Sequence, residues 1–198
     1  MITTASVLPV TLSRIRNKEI SMQRILKTSA VALALLSATS ASAACFYDTI
    51  RASTQVEQFY DNRDGTLLDM KTGLTWAVCI YGQSFDTSTN ACVGAATQVP
   101  SWSAALQAQD DFDLAGHTDW RLPNVKELAT IVEYACVDPA IRPELFPQTP
   151  SAPFWTHTPD SADVDSVVLG RYIDFYDGTE FNDKPEIQRY VRLVREAD

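Results

Sequence analysis

His117 and His157 are the only histidines in the 198-residue chain. Imidazole is the side chain suited to proton transfer near neutral pH. His117 stands among Asp110, Asp111, Asp113 and Asp119, and a His–Asp pair is the element a general base needs. No serine or cysteine nucleophile motif accompanies it, and a lone histidine in a polar loop reads as exposed. His157 lies in the run FWTHTP. Together with Trp155, Tyr172, Asp174 and Tyr176 it forms a candidate ligand site, in which aromatic faces stack on a sugar or peptide and acids accept hydroxyl hydrogen bonds. Strand alternation sends some of these five inward. Asp160, Asp163 and Asp165 form a spaced acidic cluster. A weak calcium site is one reading of it, and a solvated acidic loop is the commoner one.

The stretch 61-DNRDGTLLDMKTGLTW-76 poses the metal question more sharply. An EF-hand loop needs oxygen ligands at positions one, three and five, a glycine at six and a carboxylate at twelve. With Gly65 sixth, Asn62 and Asp64 fall on ligand positions, but Tyr60 takes the first and Lys71 the twelfth. The pattern fails at both ends. Asp64-Gly65 between apolar pairs is instead hairpin chemistry, since glycine supplies the positive φ of a tight turn. No metal or other cofactor is called for.

Four cysteines remain: Cys45, Cys79, Cys92 and Cys136. Four allow three connectivities. Cys79 and Cys92 flank the short loop YGQSFDTSTNA and are placed to close it, which leaves Cys45 with Cys136. Zinc is disfavoured, because no closely spaced cysteine pair exists and histidines are scarce.

These residues need elements to hold them. Residues 59–76 read as a strand, a turn at Asp64-Gly65, a second strand and a turn at Thr72-Gly73. Residues 80–100 are polar and loop-like. Ser101 is an N-cap for a helix bearing Trp102, Ala105 and Leu106. Asn124 with Glu127 forms a capping box, and Leu128, Ile131, Val132 and Ala135 follow at helical spacing. The run DPAIRPELFPQTPSAP excludes long regular structure. Strands follow at 154–158, 166–176 with an Asp177-Gly178 turn, and 189–195. The order implies an α+β domain, with much of its length in loops.

At the N-terminus, Arg24 and Lys27 precede an apolar run from 30 to 36 and small residues ending at Ala43. This is the three-part design of a secretory signal peptide, cleaved after Ala43 or Ala44, with Met22 as an alternative start. Residues 1–21 fit no targeting pattern. The apolar run is too short to span a bilayer, so the mature domain, 44–198, is expected without a transmembrane segment. Lipid attachment at Cys45 is a minority alternative, because Ser42 stands where a lipoprotein signal carries a large aliphatic. The chain has 16 basic and 25 acidic residues. Removing Arg14, Arg16, Lys18, Arg24, Lys27 and Glu19 leaves 11 and 24, a net charge of −13 beyond Ala43. Such a surface disfavours nucleic acid, sulfated polyanions and anionic lipid as partners.

DNRDGTLLDMKTGLTW, C-x-x-G-Q-S-F, GHTDWRLPNVKELATIVEYAC, DPAI…LFPQTPS…FWT and YIDFYDGTEFN…RYVRLVR follow one another in an order that resembles the Lcl C-terminal domain family. The likeness covers about residues 59–195. It implies a fold similar to C-type lectin-like domains: a terminal strand pair, two helices, a small antiparallel sheet and a loop-rich half that displays ligands. It also implies export, to the periplasm or the exterior. The namesake adhesin's domain binds sulfated glycosaminoglycans, a property this acidic chain does not inherit. The Glu-Pro-Asn or Gln-Pro-Asp and Trp-Asn-Asp motifs of calcium-dependent lectins are absent. The reactive cysteine pair of formylglycine-generating oxidases is absent too.

The expectation is therefore an exported, non-catalytic domain that binds a carbohydrate or protein surface, as an adhesive protein does. The alternatives are an envelope hydrolase using His117 or His157 with nearby carboxylates, and a structural component of an envelope complex.

Overall fold

A computed structural model describes residues 43–161 and 168–198. The signal-peptide reading, and Asp163 and Asp165 of the acidic cluster, lie outside the described residues.

The hairpin expected at 59–76 is present and grows into a sheet. β2 (Phe59–Asp61), β3 (Thr66–Asp69) and β4 (Leu74–Ala77) pair antiparallel in turn. Its first turn is built as the composition foretold. Asp61 Oδ1 accepts from Arg63 N at 2.8 Å, and Asp64 Oδ1 accepts from Thr66 N at 3.0 Å and Thr66 Oγ1 at 2.6 Å. Arg63 and Gly65 take the positive φ that the chain reversal requires. All four residues of β4 are buried, because the sheet is covered on both faces.

The last strand, β11 (Val194–Glu196), pairs with the other edge of β4, giving the order β11-β4-β3-β2. The regular strand is shorter than the 189–195 expected, because this run changes partner along its length. Arg189 N bonds Val99 O, and Tyr190 O accepts from Trp155 N. Val191 O accepts from Tyr81 N, Leu193 O from Ala77 N, and Val194 exchanges bonds with Arg121. The C-terminal run thus joins the first sheet to a second, in which β8 (Pro153–Asp160), β9 (Leu169–Asp174) and β10 (Thr179–Asp183) lie in the order β10-β9-β8.

Both helices start where their caps predict. α1 (Trp102–Gln107) is capped by Ser101, whose side chain accepts from Ala104 N. α2 (Val125–Ala129) carries the complete Asn124–Glu127 capping box. It ends earlier than the apolar spacing suggested. Thr130 turns its hydroxyl back to Glu127 O at 2.7 Å, and the next residues continue as tighter turns in which Ile131 N bonds Leu128 O. Leu128, Ile131, Val132 and Ala135 are still all buried.

Two short pairs complete the α+β arrangement. β1 (Ala44–Cys45) pairs with β7 (Cys136–Val137), and β5 (Ser84–Asp86) with β6 (Ala91–Val93). Each carries a disulfide, Cys45–Cys136 on the first pair and Cys79–Cys92 closing the loop around the second. In this structure the Cys45 sulfur is bonded to Cys136, the atom that a lipid thioether would use. Among the described residues no helix is long and apolar enough to cross a membrane.

Candidate functional site

The loop after β4 and the loop after α1 face one another across a cleft of about 710 Å³. The first wall is the disulfide-closed loop. Gly82 takes φ +91°, and a Cβ there would lie 2.2 Å from Thr97 Oγ1, so only glycine lets Thr97 N reach Tyr81 O at 2.8 Å. Gln83 Oε1 accepts from Ile80 N at 3.0 Å and fixes the turn. Phe85 packs against Gly65, where a Cβ would stand 2.6 Å from the ring. The second wall is a tight reversal in which Leu114 and His117 exchange backbone bonds around Ala115 and Gly116, both at positive φ. Phe112 is held by an edge-on contact with Trp120, centroids 5.6 Å apart.

The cleft therefore presents Tyr81, Phe85 and Phe112 as partly exposed aromatic surfaces. Gln83, Ser84, Thr87 and Thr97 supply amide and hydroxyl groups, and Asp64, Asp111 and Asp113 supply carboxylates. Rigid apolar faces with a few polar groups at the rim are the composition of a small-ligand site. The sequence carries one signal for this place: two aromatics, Tyr81 and Phe85, inside a short, polar, cysteine-closed loop.

The five residues first singled out do not converge. Trp155 is fully buried, its indole N–H donating to Ile187 O at 3.2 Å, so it belongs to the core and not to a ligand platform. Tyr172 is half-buried against it, with centroids 5.9 Å apart, and the Arg189 guanidinium lies 3.6 Å over the Tyr172 ring. Asp174 accepts from Tyr176 N at 2.9 Å and shapes the β9–β10 turn. Tyr176 is exposed on that turn. His157 is exposed elsewhere, beside a cleft of about 460 Å³ that it shares with Arg121, Asn124 and Glu127. None of the five lines the larger cleft.

The remaining candidates are engaged. Asp160 pairs with Arg171 at 2.9 Å and accepts from Asn182 at 2.9 Å. Asp119 binds Arg195 at 2.8 Å, and that hydrogen bond holds its carboxyl below the usual range. Arg121 clasps Glu127 with both nitrogens and reaches Glu196 at 2.5 Å. These contacts make Asp119 and Arg121 supports for the surrounding chain. Burial raises the Glu127 pKa, but the Arg121 and Asn124 hydrogen bonds outweigh it and hold the carboxylate ionised. Neither histidine ring hydrogen-bonds a carboxylate among the described residues.

The family model of the Lcl C-terminal domain matches residues 65–195. The chain belongs to this family. No curated protein matches it, and no solved structure does. Within this Lcl C-terminal domain the matched region runs from the glycine under Phe85 to the end of the C-terminal run. It contains every residue lining the cleft except Asp64.

Proposed function

We propose that this chain is an exported, non-catalytic binding domain of C-type-lectin-like design that takes a carbohydrate in the cleft between residues 79–97 and 111–115. The observation that carries this reading is the lining itself. Tyr81, Phe85 and Phe112 offer faces for the C–H side of a sugar ring, while Ser84, Thr87, Thr97 and the aspartates meet hydroxyls. The lectin-like comparison is supported by two short helices, two small antiparallel sheets and a disulfide-stapled loop region displaying the cleft. Export is supported by the two disulfides, which persist in oxidising compartments.

The test is a glycan array probed with the mature protein and with Ser84→Trp, which fills the cleft from an exposed position. Specific binding that the tryptophan removes supports the reading. Background signal for both proteins contradicts it, and capture of a stoichiometric protein partner instead would favour an envelope-complex role.

A hydrolase using His157 is the second reading, favoured by the shared cleft of His157 and Glu127. Glu127 is poorly placed to act as a base, since its oxygens already accept from Arg121 and from Asn124 N. Hydrolysis lost in His157→Ala would establish that alternative.

A further inference from the structure

We propose that the saccharide taken by this cleft carries free amines, so that its ligand is cationic, the reverse of a sulfated chain. The proposal rests on the reading of the cleft as a saccharide site. Its lining combines aromatic surface with carboxylates and contains no lysine, arginine or histidine. Asp111 and Asp113 are exposed and take part in no ion pair among the described residues. The arginines 121, 142, 171, 189 and 195 are each matched to carboxylates outside the cleft. No ion pair among the described residues therefore neutralises Asp111 and Asp113, and a concave site concentrates their field.

The aromatic walls act in the same direction. A ring face attracts an ammonium group as well as the C–H face of a pyranose. An amino sugar uses both properties at once: its ring stacks while its ammonium meets ring face and carboxylate together. A carboxylated or sulfated sugar finds neither a basic partner nor a favourable field. A neutral sugar gains the stacking and the hydroxyl hydrogen bonds but no charge pairing.

The test compares a glucosamine hexamer with an N-acetylglucosamine hexamer of the same linkage, titrated into the mature protein in mildly acidic, low-salt buffer. Two or three exposed charge pairs together give a preference of about tenfold for the free-amine oligomer. Added salt narrows it, because such pairs are screened. The double variant Asp111→Asn with Asp113→Asn collapses the ratio of the two affinities to about twofold or less. Equal binding of both oligomers overturns the proposal while leaving the saccharide reading in place. Binding of neither overturns it too, and the glycan array then decides the broader reading separately. A preference that survives Ser84→Trp also overturns it, since the discriminating charges would lie elsewhere.

Discussion

Gly65 shows how far a residue's role is legible before folding. The Asp64-Gly65 pair announces a turn, and the turn is there. That the Phe85 ring rests on the glycine depends on a packing partner twenty positions on, which no local pattern reports. Gly65→Ala combines a φ of +92° with a Cβ 2.6 Å from the ring, and is expected to cost about 2 kcal/mol, read as a lowered denaturant midpoint. Glu133 was not singled out at all, because its importance arises from burial. Its carboxylate, 0% exposed, accepts from Ser53 N, Thr54 N and Ala135 N at 2.9 to 3.0 Å, and from Thr54 Oγ1 at 2.7 Å. Burial pushes its pKa up, but these hydrogen bonds outweigh it and hold it below the ordinary 4.5. A carboxylate depressed in the folded state stabilises it above the unfolded pKa and ceases to do so as pH falls through the folded one. Stability should therefore decline below about pH 4.5, with a shallower acid limb in Glu133→Gln. At neutral pH that variant should lose about 3 kcal/mol, since an amide cannot accept from so many donors. An unchanged denaturation midpoint would count against this account.

Burial also decides the arginines of the C-terminal run. Within the RYVRLVR run Arg189, Arg192 and Arg195 are all buried. Arg189 lies on Tyr172 and pairs with Asp183 at 2.5 Å. Arg192 donates to Ala77 O, Val78 O and Thr149 Oγ1, with its guanidinium 4.9 Å from the Phe146 ring centre. Burial lowers its pKa to about 9, which leaves it charged at neutral pH.

At the scale of elements, caps and turns were legible because their chemistry is local. Ser101, Asn124 with Glu127, and the three glycine turns all stand where they were expected. Element lengths were not. Thr130 ends α2 through its own side chain, and the 189–195 run loses regularity because its hydrogen-bond partners come from several distant segments. The disulfides divide the labour between elements. Cys79–Cys92 spans 13 residues and fixes a cleft wall, whereas Cys45–Cys136 spans 91 and ties β1 to β7. Loop-closure entropy gives them about 3 and about 4.5 kcal/mol respectively. Serine replacement of the 79–92 pair should abolish ligand binding with the smaller loss of thermal stability. Replacement of the 45–136 pair should lower Tm more and retain binding at low temperature. The reverse pattern, scored by calorimetry and ligand titration, would refute the assignment of the cleft wall.

For the whole molecule, the sequence conveyed the order of hairpin, helices, long loop and strands, and with it the α+β class. The cleft escaped notice because its two walls, residues 79–97 and 111–115, lie on either side of α1 in sequence and meet only in the fold. The aromatic run at 154–176 drew attention instead, and its most prominent member, Trp155, is core. The proposed export is tested at this scale as well. Mass spectrometry of the protein recovered from its host should give a chain beginning at Ala44 or Cys45, with two intact disulfides and no lipid mass. A lipid adduct on Cys45 would break the Cys45–Cys136 bond on which this fold is built.

The most direct test of the central claim is a titration of the isotope-labelled mature protein with its best array glycan, followed by amide chemical shifts. The cleft reading predicts perturbations concentrated at residues 81–87, 97 and 111–115. Shifts centred instead on Tyr172, Tyr176 and Phe181, with the cleft unmoved, would contradict it.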